Sequence, residues 1–284
     1  MPNAKVAVIT GSTGGIGSAI AHQLADEGWT LVLVNRNAEK SALQKEQLTS
    51  AYPRARIDMI RANLMDTNQI KQAALEVHSI HPKIDVLYNN SGVLTSQRIN
   101  SVQGHESNYA INTLAPYVMI ECLRSTLKRE DGASRTMIIN TTSSAQNAVK
   151  SLNIDALSNP EVIGGLTGAY AATKLALTTI GTAMADGLAG DGIMVRSVCP
   201  GTVATPMTKT SDAMPGLLKL LVPFLFNKPE KQAGKMIYAA KADTYGNRTG
   251  IYITNGKEKT IPKHAVDPET QAKLMKKLSL DAAL

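Results

Sequence analysis

Thr10-Gly-Ser-Thr-Gly-Gly-Ile-Gly17 is the stretch that decides the fold, because of the segments on either side of it. Before it, Lys5-Val-Ala-Val-Ile9 is a short apolar run typical of a buried strand. After it, Ile16, Ile20 and Leu24 recur at helical spacing. Glycines let the backbone approach a pyrophosphate closely, and a helix N-terminus favours negative charge. A strand, a glycine-rich turn and a helix in this order predict the phosphate-binding start of a dinucleotide fold.

The second apolar run, Leu31-Val-Leu-Val-Asn35, is followed at once by Arg36. In dinucleotide folds this position faces the adenosine ribose, where a carboxylate would bind the 2′-hydroxyl and repel a 2′-phosphate. Here Asn35 is neutral and Arg36 is cationic, so a 2′-phosphate is favoured. The sequence therefore predicts NADP(H) in preference to NAD(H). The alternative is that Arg36 simply faces solvent.

The rest of the chain repeats the pattern of a strand followed by a helix. Further strands are predicted near residues 56–62, 84–88, 137–140, 193–198 and 250–254, and helices near 39–51, 68–79, 107–129, 168–189 and 230–242. This order predicts one α/β domain over residues 1–284, a Rossmann-like doubly wound parallel sheet of about seven strands with helices on both faces. The lysine-rich helical tail from Pro262 is predicted to be solvated surface.

Two segments interrupt this repeat and are predicted to lie on the substrate side. Residues 145–167 are polar and contain Pro160 and Gly164-Gly165, so an inserted loop is expected. Residues 207–228 are richer in apolar side chains than most loops. They are predicted to form either a flap over the substrate or a core helix.

Composition limits the class of protein. Hydrophobic residues make up 43% and charged residues 19% of the 284 positions, as in ordinary globular proteins. The net charge of +7 raises the question of nucleic acid, but the basic residues are scattered and only two phenylalanines could stack on bases, so no nucleic-acid partner is predicted. The apolar run at 216–226 contains Lys219 and Pro223 and is too short to span a bilayer. Cys122 and Cys199 form no paired motif, which favours a reducing, cytoplasmic location.

Tyr170-Ala-Ala-Thr-Lys174 opens an alanine-rich helical segment, and the spacing places the tyrosine and the lysine on one helix face. A nearby ammonium favours the phenolate and lowers the pKa of a phenol from its usual value of about 10. Such a tyrosine can give a proton to a carbonyl oxygen or take one from an alcohol. Taken alone, the pair is weak evidence, because Tyr-x-x-x-Lys often arises by chance as a surface pair. The alanines suit close helix packing, within the chain or across a subunit interface.

Small polar residues also follow other predicted strands at their carboxyl ends, where ligands bind in open α/β sheets. They are Asn63, Asn89-Asn90-Ser91-Gly92 and Thr141-Thr-Ser-Ser144. Neighbours on an extended chain point to opposite faces, so only one of Ser143 and Ser144 is expected to reach a substrate, and Ser143 is favoured. Asn112 lies in a predicted long helix, where a solvated or capping role is the alternative to a functional one.

In this order the motifs resemble those of the short-chain dehydrogenase/reductase family, over nearly the whole chain. Thr10-Gly11, Gly15 and Gly17 resemble its TGxxxGxG turn, and Asn89-Asn90-Ser91-Gly92 its NNAG strand end with serine in place of alanine. Pro200-Gly201, followed by Thr205, resembles its turn beside the nicotinamide carboxamide. Asn63 stands where many members have aspartate.

A subgroup is suggested by three further features. They are the long spacing between Ser143 and Tyr170, the Lys228-Pro-Glu230 region and the ending Gly250-Ile-Tyr252. These resemble the branch of retinol dehydrogenases and related carbonyl reductases.

The resemblance implies an oxidoreductase that transfers a hydride between NADP(H) and a carbonyl or alcohol substrate. Ser143 is implied to hold the substrate oxygen, Tyr170 to transfer the proton, Lys174 to lower the tyrosine pKa and contact the nicotinamide ribose, and Asn112 to support a water relay. The cofactor-binding residues implied are Gly11, Ser12, Thr13, Gly15, Ile16, Gly17, Arg36, Asn63, Leu64, Asn90, Ser91, Gly92, Tyr170, Lys174, Pro200, Gly201, Val203 and Thr205. The apolar 207–228 segment suggests an apolar substrate. A homodimer or homotetramer is the family expectation.

Other functions fit the sequence less well. A non-enzymatic NADP(H)-binding regulator would fit the loss of a catalytic residue, but Ser143, Tyr170 and Lys174 are all present. An epimerase or dehydratase of the extended branch is disfavoured by the turn spacing and the shorter C-terminal part. His78 and His81 lie three apart without an evident third ligand, so no metal site is predicted.

Overall fold

One parallel sheet organises the molecule. The computed structural model describes residues 4–130, 135–203, 227–241 and 245–284. The strands within these ranges are β1 (Val6–Thr10), β2 (Thr30–Asn35), β3 (Ile57–Arg61), β4 (Val86–Asn89), β5 (Thr136–Thr141), β6 (Ile193–Cys199), β7 (Ile251–Thr254) and β8 (Lys257–Lys259). Their order in the sheet is β3-β2-β1-β4-β5-β6-β7-β8, and β1 to β7 are parallel. The predicted Rossmann-like parallel sheet is confirmed.

The described sheet has one strand more than the predicted seven. β8 runs antiparallel to β7, with Thr254 opposite Lys257. The chain reverses through Asn255 and Gly256, whose φ angles are 51° and 71°. Asparagine and glycine tolerate this left-handed conformation, so a tight hairpin forms here.

Helices cover both faces of the sheet. They are α1 (Gly15–Asp26), α2 (Ala38–Ala51), α3 (Thr67–Ile80), α4 (Ser107–Tyr109), α5 (Ala115–Leu127), α6 (Ala169–Ala183), α7 (Ala185–Gly190), α8 (Pro229–Ala240), α9 (Lys263–Val266) and α10 (Pro268–Ala282). Side chains alternate along β1, so Val8 packs into one apolar core while Ala7 and Ile9 pack into the other. Because both faces are covered, the central strands are continuous apolar runs, as the sequence indicates.

The helix predicted over 107–129 is interrupted. A π-helical turn, Ala110–Leu114, separates α4 from α5, and Pro116 follows it in the first turn of α5. Proline has no N–H to bond the carbonyl four residues earlier, which belongs to Asn112. The regular helical pattern is therefore broken at the residue for which the sequence implies a role.

The helix that carries Tyr170 is also shorter than predicted. α6 ends at Ala183, and the separate short helix α7 follows. All but three of the fifteen α6 residues, Ala172, Thr182 and Ala183, are buried against other parts of the same chain. Its buried alanines, Ala169, Ala171 and Ala176, therefore serve packing within the chain.

The structure describes the first predicted insertion, residues 145–167, in full, but only the end of the second. A short 3-10 helix, Ser144–Ala148, opens the first insertion, and the chain then runs irregularly to α6. Residues 207–226 of the second lie outside the described residues, as does Thr205.

The prediction that the C-terminal tail is solvated surface is wrong for one face of α10. Leu274, Leu278 and Ala282 are fully buried in the core that also contains Ile180. Their spacing of four places them on one helix face, and the lysines lie elsewhere on the helix. Tyr109 donates a hydrogen bond to Asp281 Oδ2 at 2.7 Å, which fixes this helix against the start of α4.

Candidate active site

The glycine-rich turn after β1 forms one wall of a cleft at the carboxyl ends of the strands, with a volume of about 680 Å³. Gly11 has a φ of 67°, and a Cβ there would lie 2.5 Å from Ser91 Oγ. Only glycine fits, because the turn lies directly against the end of β4. Asn90 Nδ2 donates to the carbonyls of Thr10 and Gly11, each at 3.0 Å, and fixes that approach.

A buried polar network joins this turn to β2 and α2. Asn35 accepts a hydrogen bond from the Ser12 backbone N–H at 2.8 Å and donates to Ser12 Oγ at 2.9 Å. Ser12 Oγ donates to Gln44 Oε1, and Gln44 Nε2 donates to the Ser12 carbonyl. The Ser12 side chain and the Asn35 amide therefore hold the turn in shape and are already satisfied by protein partners.

Two cations line the cleft where β2 ends. Arg36 follows that strand directly, and Lys40 lies one helical turn further on in α2, which Asn37 caps by accepting from the Lys40 N–H at 2.8 Å. Both side chains are exposed, and no ion pair between described residues involves either of them. The described lining residues include no aspartate or glutamate. The cleft is therefore suited to an anionic ligand.

Tyr170, Lys174 and Ser143 meet on the other side of the cleft, where β5 ends. Tyr170 and Lys174 are 8% and 3% exposed, and Lys174 Nζ lies 5.9 Å from the centre of the tyrosine ring. The ammonium donates to the Thr141 carbonyl at 2.9 Å, which ties α6 to the end of β5. Ser143 follows two residues later and hydrogen-bonds the phenol.

The pKa of Tyr170 differs from the sequence expectation. Burial raises it to about 12, and the hydrogen bond with Ser143 offsets only part of this effect. Burial also lowers the pKa of Lys174 to about 8. Removing water disfavours the charged form of each group, and at this separation the effect outweighs the expected stabilisation of a phenolate by the lysine. The protein alone therefore presents a protonated tyrosine at neutral pH.

Ser143 and Ser144, both beyond the end of β5, differ in exposure. Ser143 is half-buried and accepts a hydrogen bond from the Ala145 N–H at 3.2 Å, while Ser144 is exposed and begins the 3-10 helix. Both line the cleft, but the contact with Tyr170 belongs to Ser143.

Asn112 is fully buried and lies behind the cleft wall. Its Oδ1 accepts from the Val93 N–H at 2.9 Å, and its Nδ2 donates to the Val93 carbonyl at 3.0 Å and to Thr173 Oγ1 at 3.2 Å. Thr173 Oγ1 in turn donates to the Tyr170 carbonyl at 2.8 Å. The Asn112 side chain thus connects the segment after β4 with the helix that carries Tyr170.

Most of the predicted site residues share this single cleft. Those that line it are Gly11, Thr13, Gly15, Ile16, Arg36, Asn63, Leu64, Asn90, Ser91, Gly92, Ser143, Tyr170, Lys174, Pro200, Gly201 and Val203. Ser12, Gly17 and Asn112 lie behind the lining; a Cβ at Gly17 would collide with the Gly11 carbonyl and with Asn90. His78 and His81 contact Thr126 and Asp58, and no group of three metal-binding side chains occurs among the described residues.

Some lining residues were not predicted from the sequence. Lys40 is the most informative, since it lies in the first turn of α2, just after the N-cap Asn37, and adds a second cation beside Arg36. Ile111 and Leu166 add apolar surface. Leu166 comes from the irregular insertion, where no periodic pattern indicates which side chain turns inward.

Comparison with known proteins assigns the family. The model of the short chain dehydrogenase family matches residues 5–216, and the chain belongs to this family. An uncharacterized oxidoreductase of Schizosaccharomyces pombe is 29% identical over 272 residues, covering 93% of this chain and 80% of the relative. Retinol dehydrogenase 13 of Mus musculus is 26% identical over 277 residues, covering 95% and 81%.

A solved structure agrees with this assignment. The blue fluorescent protein from a metagenomic library, in complex with NADPH, is 26% identical with a TM-score of 0.69, covering 89% of this chain and 96% of that one. The protein is thus an oxidoreductase near the retinol dehydrogenase branch that uses a nicotinamide cofactor and acts on alcohol or carbonyl groups. No helix among the described residues is long and apolar enough to cross a membrane.

Proposed function

We propose that this oxidoreductase interconverts apolar carbonyl compounds and alcohols with NADP(H) as cofactor. The observation that carries the proposal is the buried Tyr170, hydrogen-bonded to Ser143 and next to Lys174, in a cleft whose described lining has cations and no carboxylate. A nicotinamide cofactor bound there supplies the hydride.

The described residues divide the remaining chemistry among them. Ser143 donates to the substrate oxygen, and Tyr170, protonated at neutral pH, gives its proton to that oxygen as the alcohol forms. Lys174 holds a positive charge beside the phenol and would contact the nicotinamide ribose of a bound cofactor. In the oxidation direction Tyr170 must first lose its proton, so we expect the rate of oxidation to rise with pH.

The proposal includes a water relay at Asn112, and we assign this role to the backbone carbonyl of the residue. Both polar atoms of its side chain already bind Val93 and Thr173. Its carbonyl lacks the usual helical donor four residues on, because that residue is Pro116. A carbonyl without this donor suits a water molecule that passes protons towards Lys174.

The residues present fit a dinucleotide with a 2′-phosphate. The turn from Gly11 to Gly15 leads into the N-terminus of α1, which favours a pyrophosphate. Arg36 and Lys40 lie beyond it on the cleft with no carboxylate beside them among the described lining residues. Two cations at this position favour the extra negative charge of NADPH over NADH.

Replacing Arg36 with glutamate tests this cofactor preference. The carboxylate would repel the 2′-phosphate and bind the ribose hydroxyl, so the ratio of kcat/KM for NADPH to that for NADH should fall at least about tenfold. Lys40→Ala should shift the ratio in the same direction by less, and Lys45→Ala, on an exposed position of α2 outside the cleft, should leave it unchanged. An unchanged ratio in Arg36→Glu would exclude Arg36 as the determinant.

An apolar substrate is supported by the lining beside Ser143 and Tyr170. Val93, Leu94 and Ile111 come from the segments after β4 and around the π turn, and Leu166 and Val203 from the later loops. The relative from Mus musculus is a retinol dehydrogenase, whose named substrate is an apolar alcohol. Apolar walls bury an aliphatic or aromatic group while the serine and tyrosine fix its oxygen.

Oxidation of NADPH across a carbonyl panel tests the function. We propose hexanal, decanal, acetophenone, retinaldehyde and menadione, with cofactor binding followed separately by fluorescence. Turnover should occur, and kcat/KM should rise from hexanal to decanal, because each buried CH₂ contributes about 0.8 kcal/mol. NADPH binding without turnover of any member would overturn the proposal and favour a regulatory protein that only binds the cofactor.

Location and assembly complete the proposal. A cytoplasmic location is supported by the free thiols Cys122 and Cys199. The assembly as a homodimer or homotetramer rests on the family resemblance. Residues 1–284 are proposed to form one domain, supported by the single sheet that runs from β1 to β8.

A further inference from the structure

The segment Val93–Thr95 leaves the end of β4 and forms part of the cleft wall without belonging to a helix or strand. Two buried asparagines on the adjacent helical segment contact its backbone. Asn112 binds both the N–H and the carbonyl of Val93. Asn108 does the same to Thr95, accepting from its N–H at 3.4 Å and donating to its carbonyl at 3.2 Å. The two side-chain amides therefore bind the backbone of alternate residues, Val93 and Thr95, as a neighbouring β-strand would.

The orientation of the Asn108 amide is fixed by Glu106. This glutamate is fully buried and caps the helix, and its carboxylate accepts from the Asn108 N–H at 2.9 Å and from Asn108 Nδ2 at 2.9 Å. A carboxylate only accepts, so it holds the NH₂ side of the amide towards itself and towards the Thr95 carbonyl. The amide oxygen is thereby directed to the Thr95 N–H.

Leu94 is the residue that this arrangement positions. It lies between the two bound residues, is 6% exposed and lines the cleft that contains Ser143 and Tyr170. Because the backbone is bound on both sides of it, Leu94 has a defined place in the wall. Asn108 itself does not line the cleft.

We propose that Asn108 is a positioning residue for the substrate: with Asn112 it clamps Val93–Thr95 so that Leu94 forms a fixed apolar wall, and Glu106 sets the orientation of the Asn108 amide. The proposal rests on the proposed function for its substrate, but the clamp is a property of the chain alone. Loss of the Asn108 contacts should loosen the wall while leaving the cofactor turn in place, because that turn is held by separate hydrogen bonds from Asn90.

Asn108→Ala tests the clamp by two independent measurements. The first is hydrogen exchange at the Thr95 amide, which should become at least about tenfold faster, because its bonding partner is lost. The second is steady-state kinetics with NADPH and decanal, in which the KM for decanal should rise about tenfold while kcat changes less than about threefold. The dissociation constant of NADPH should change less than about twofold, since the Asn108 side chain does not line the cleft.

Two further variants separate positioning from general damage. Asn68→Ala removes an exposed asparagine near the start of α3 and should change none of these quantities. Leu94→Ala removes the wall itself and should raise the KM for decanal as Asn108→Ala does, without accelerating exchange at Thr95. This variant keeps the test open if Asn108→Ala fails to fold.

The outcomes distinguish the clamp from the proposed function. Unchanged exchange at Thr95 in Asn108→Ala overturns the clamp, whether or not the protein turns over decanal. An unchanged KM for decanal in Asn108→Ala or Leu94→Ala overturns the positioning role. If the unaltered protein turns over no carbonyl compound, the proposed function fails and the exchange measurement still decides the clamp.

Discussion

Tyr170→Phe is expected to lower the turnover of NADPH with a carbonyl substrate by about a thousandfold, within the range typical for loss of a general acid. Phenylalanine fills the same buried space but has no proton to give to the substrate oxygen. The dissociation constant of NADPH should change by less than about threefold, because most of the cofactor cleft is formed by the glycine-rich turn and the ends of β2 and β4. Turnover and cofactor fluorescence measure the two quantities.

A second tyrosine provides the control. Tyr52 is half-buried, follows α2 and lies outside the cleft, where its hydroxyl is 3.4 Å from His22 Nδ1. Tyr52→Phe should retain normal turnover. Near-normal turnover in Tyr170→Phe would contradict the mechanism, since Tyr170 is the proposed acid.

Arg196→Met is expected to cause the largest loss of stability. Arg196 lies on β6 and is fully buried. Its guanidinium lies 5.3 Å from the centre of the Tyr245 ring and donates to backbone carbonyls of Ala239, Lys241, Gly246 and Arg248 at 2.8 to 3.3 Å. Methionine would leave these acceptors unpaired, so the free energy of unfolding should fall by about 3–5 kcal/mol. Urea unfolding followed by circular dichroism measures it.

An exposed arginine is the matched comparison. The Arg56 side chain is 60% exposed and pairs with Asp58 at the surface. Arg56→Met should cost less than about 1 kcal/mol, because solvent screens such pairs. If Arg196→Met lowered the free energy of unfolding by no more than Arg56→Met does, the hydrogen bonds of Arg196 to the carbonyls would contribute little to stability.

The sequence predicted the parts of the site that depend on local chemistry. Gly11, Gly15 and Gly17 allow backbone conformations and close approaches that a side chain would prevent. Tyr170 and Lys174 lie on one helix face because of their spacing alone. The parallel sheet follows from apolar runs that alternate with helical patterns. These inferences need only neighbours along the chain.

The remaining features depend on neighbours in space. Pro116, which accounts for the π turn, can be recognised in the sequence. The hydrogen bonds between Asn112 and the Val93 backbone cannot, because the two residues meet only in the folded chain. Arg196 within an apolar strand is visible as an exception, but its partners lie at the end of α8 and in the segment before β7, more than forty residues later. The pKa of Tyr170 could not be predicted either, because burial of the phenol and the ammonium together is a tertiary effect.

The packing of α10 has a consequence for the order in which the enzyme becomes active during synthesis. Tyr170 and Lys174 leave the ribosome about a hundred residues before the helix that completes the apolar layer against α6. Until Leu274 and Leu278 arrive, the outer side of α6 faces water instead of its own core. The side chains proposed to carry out the chemistry are therefore synthesised before the helix that completes the core beside them.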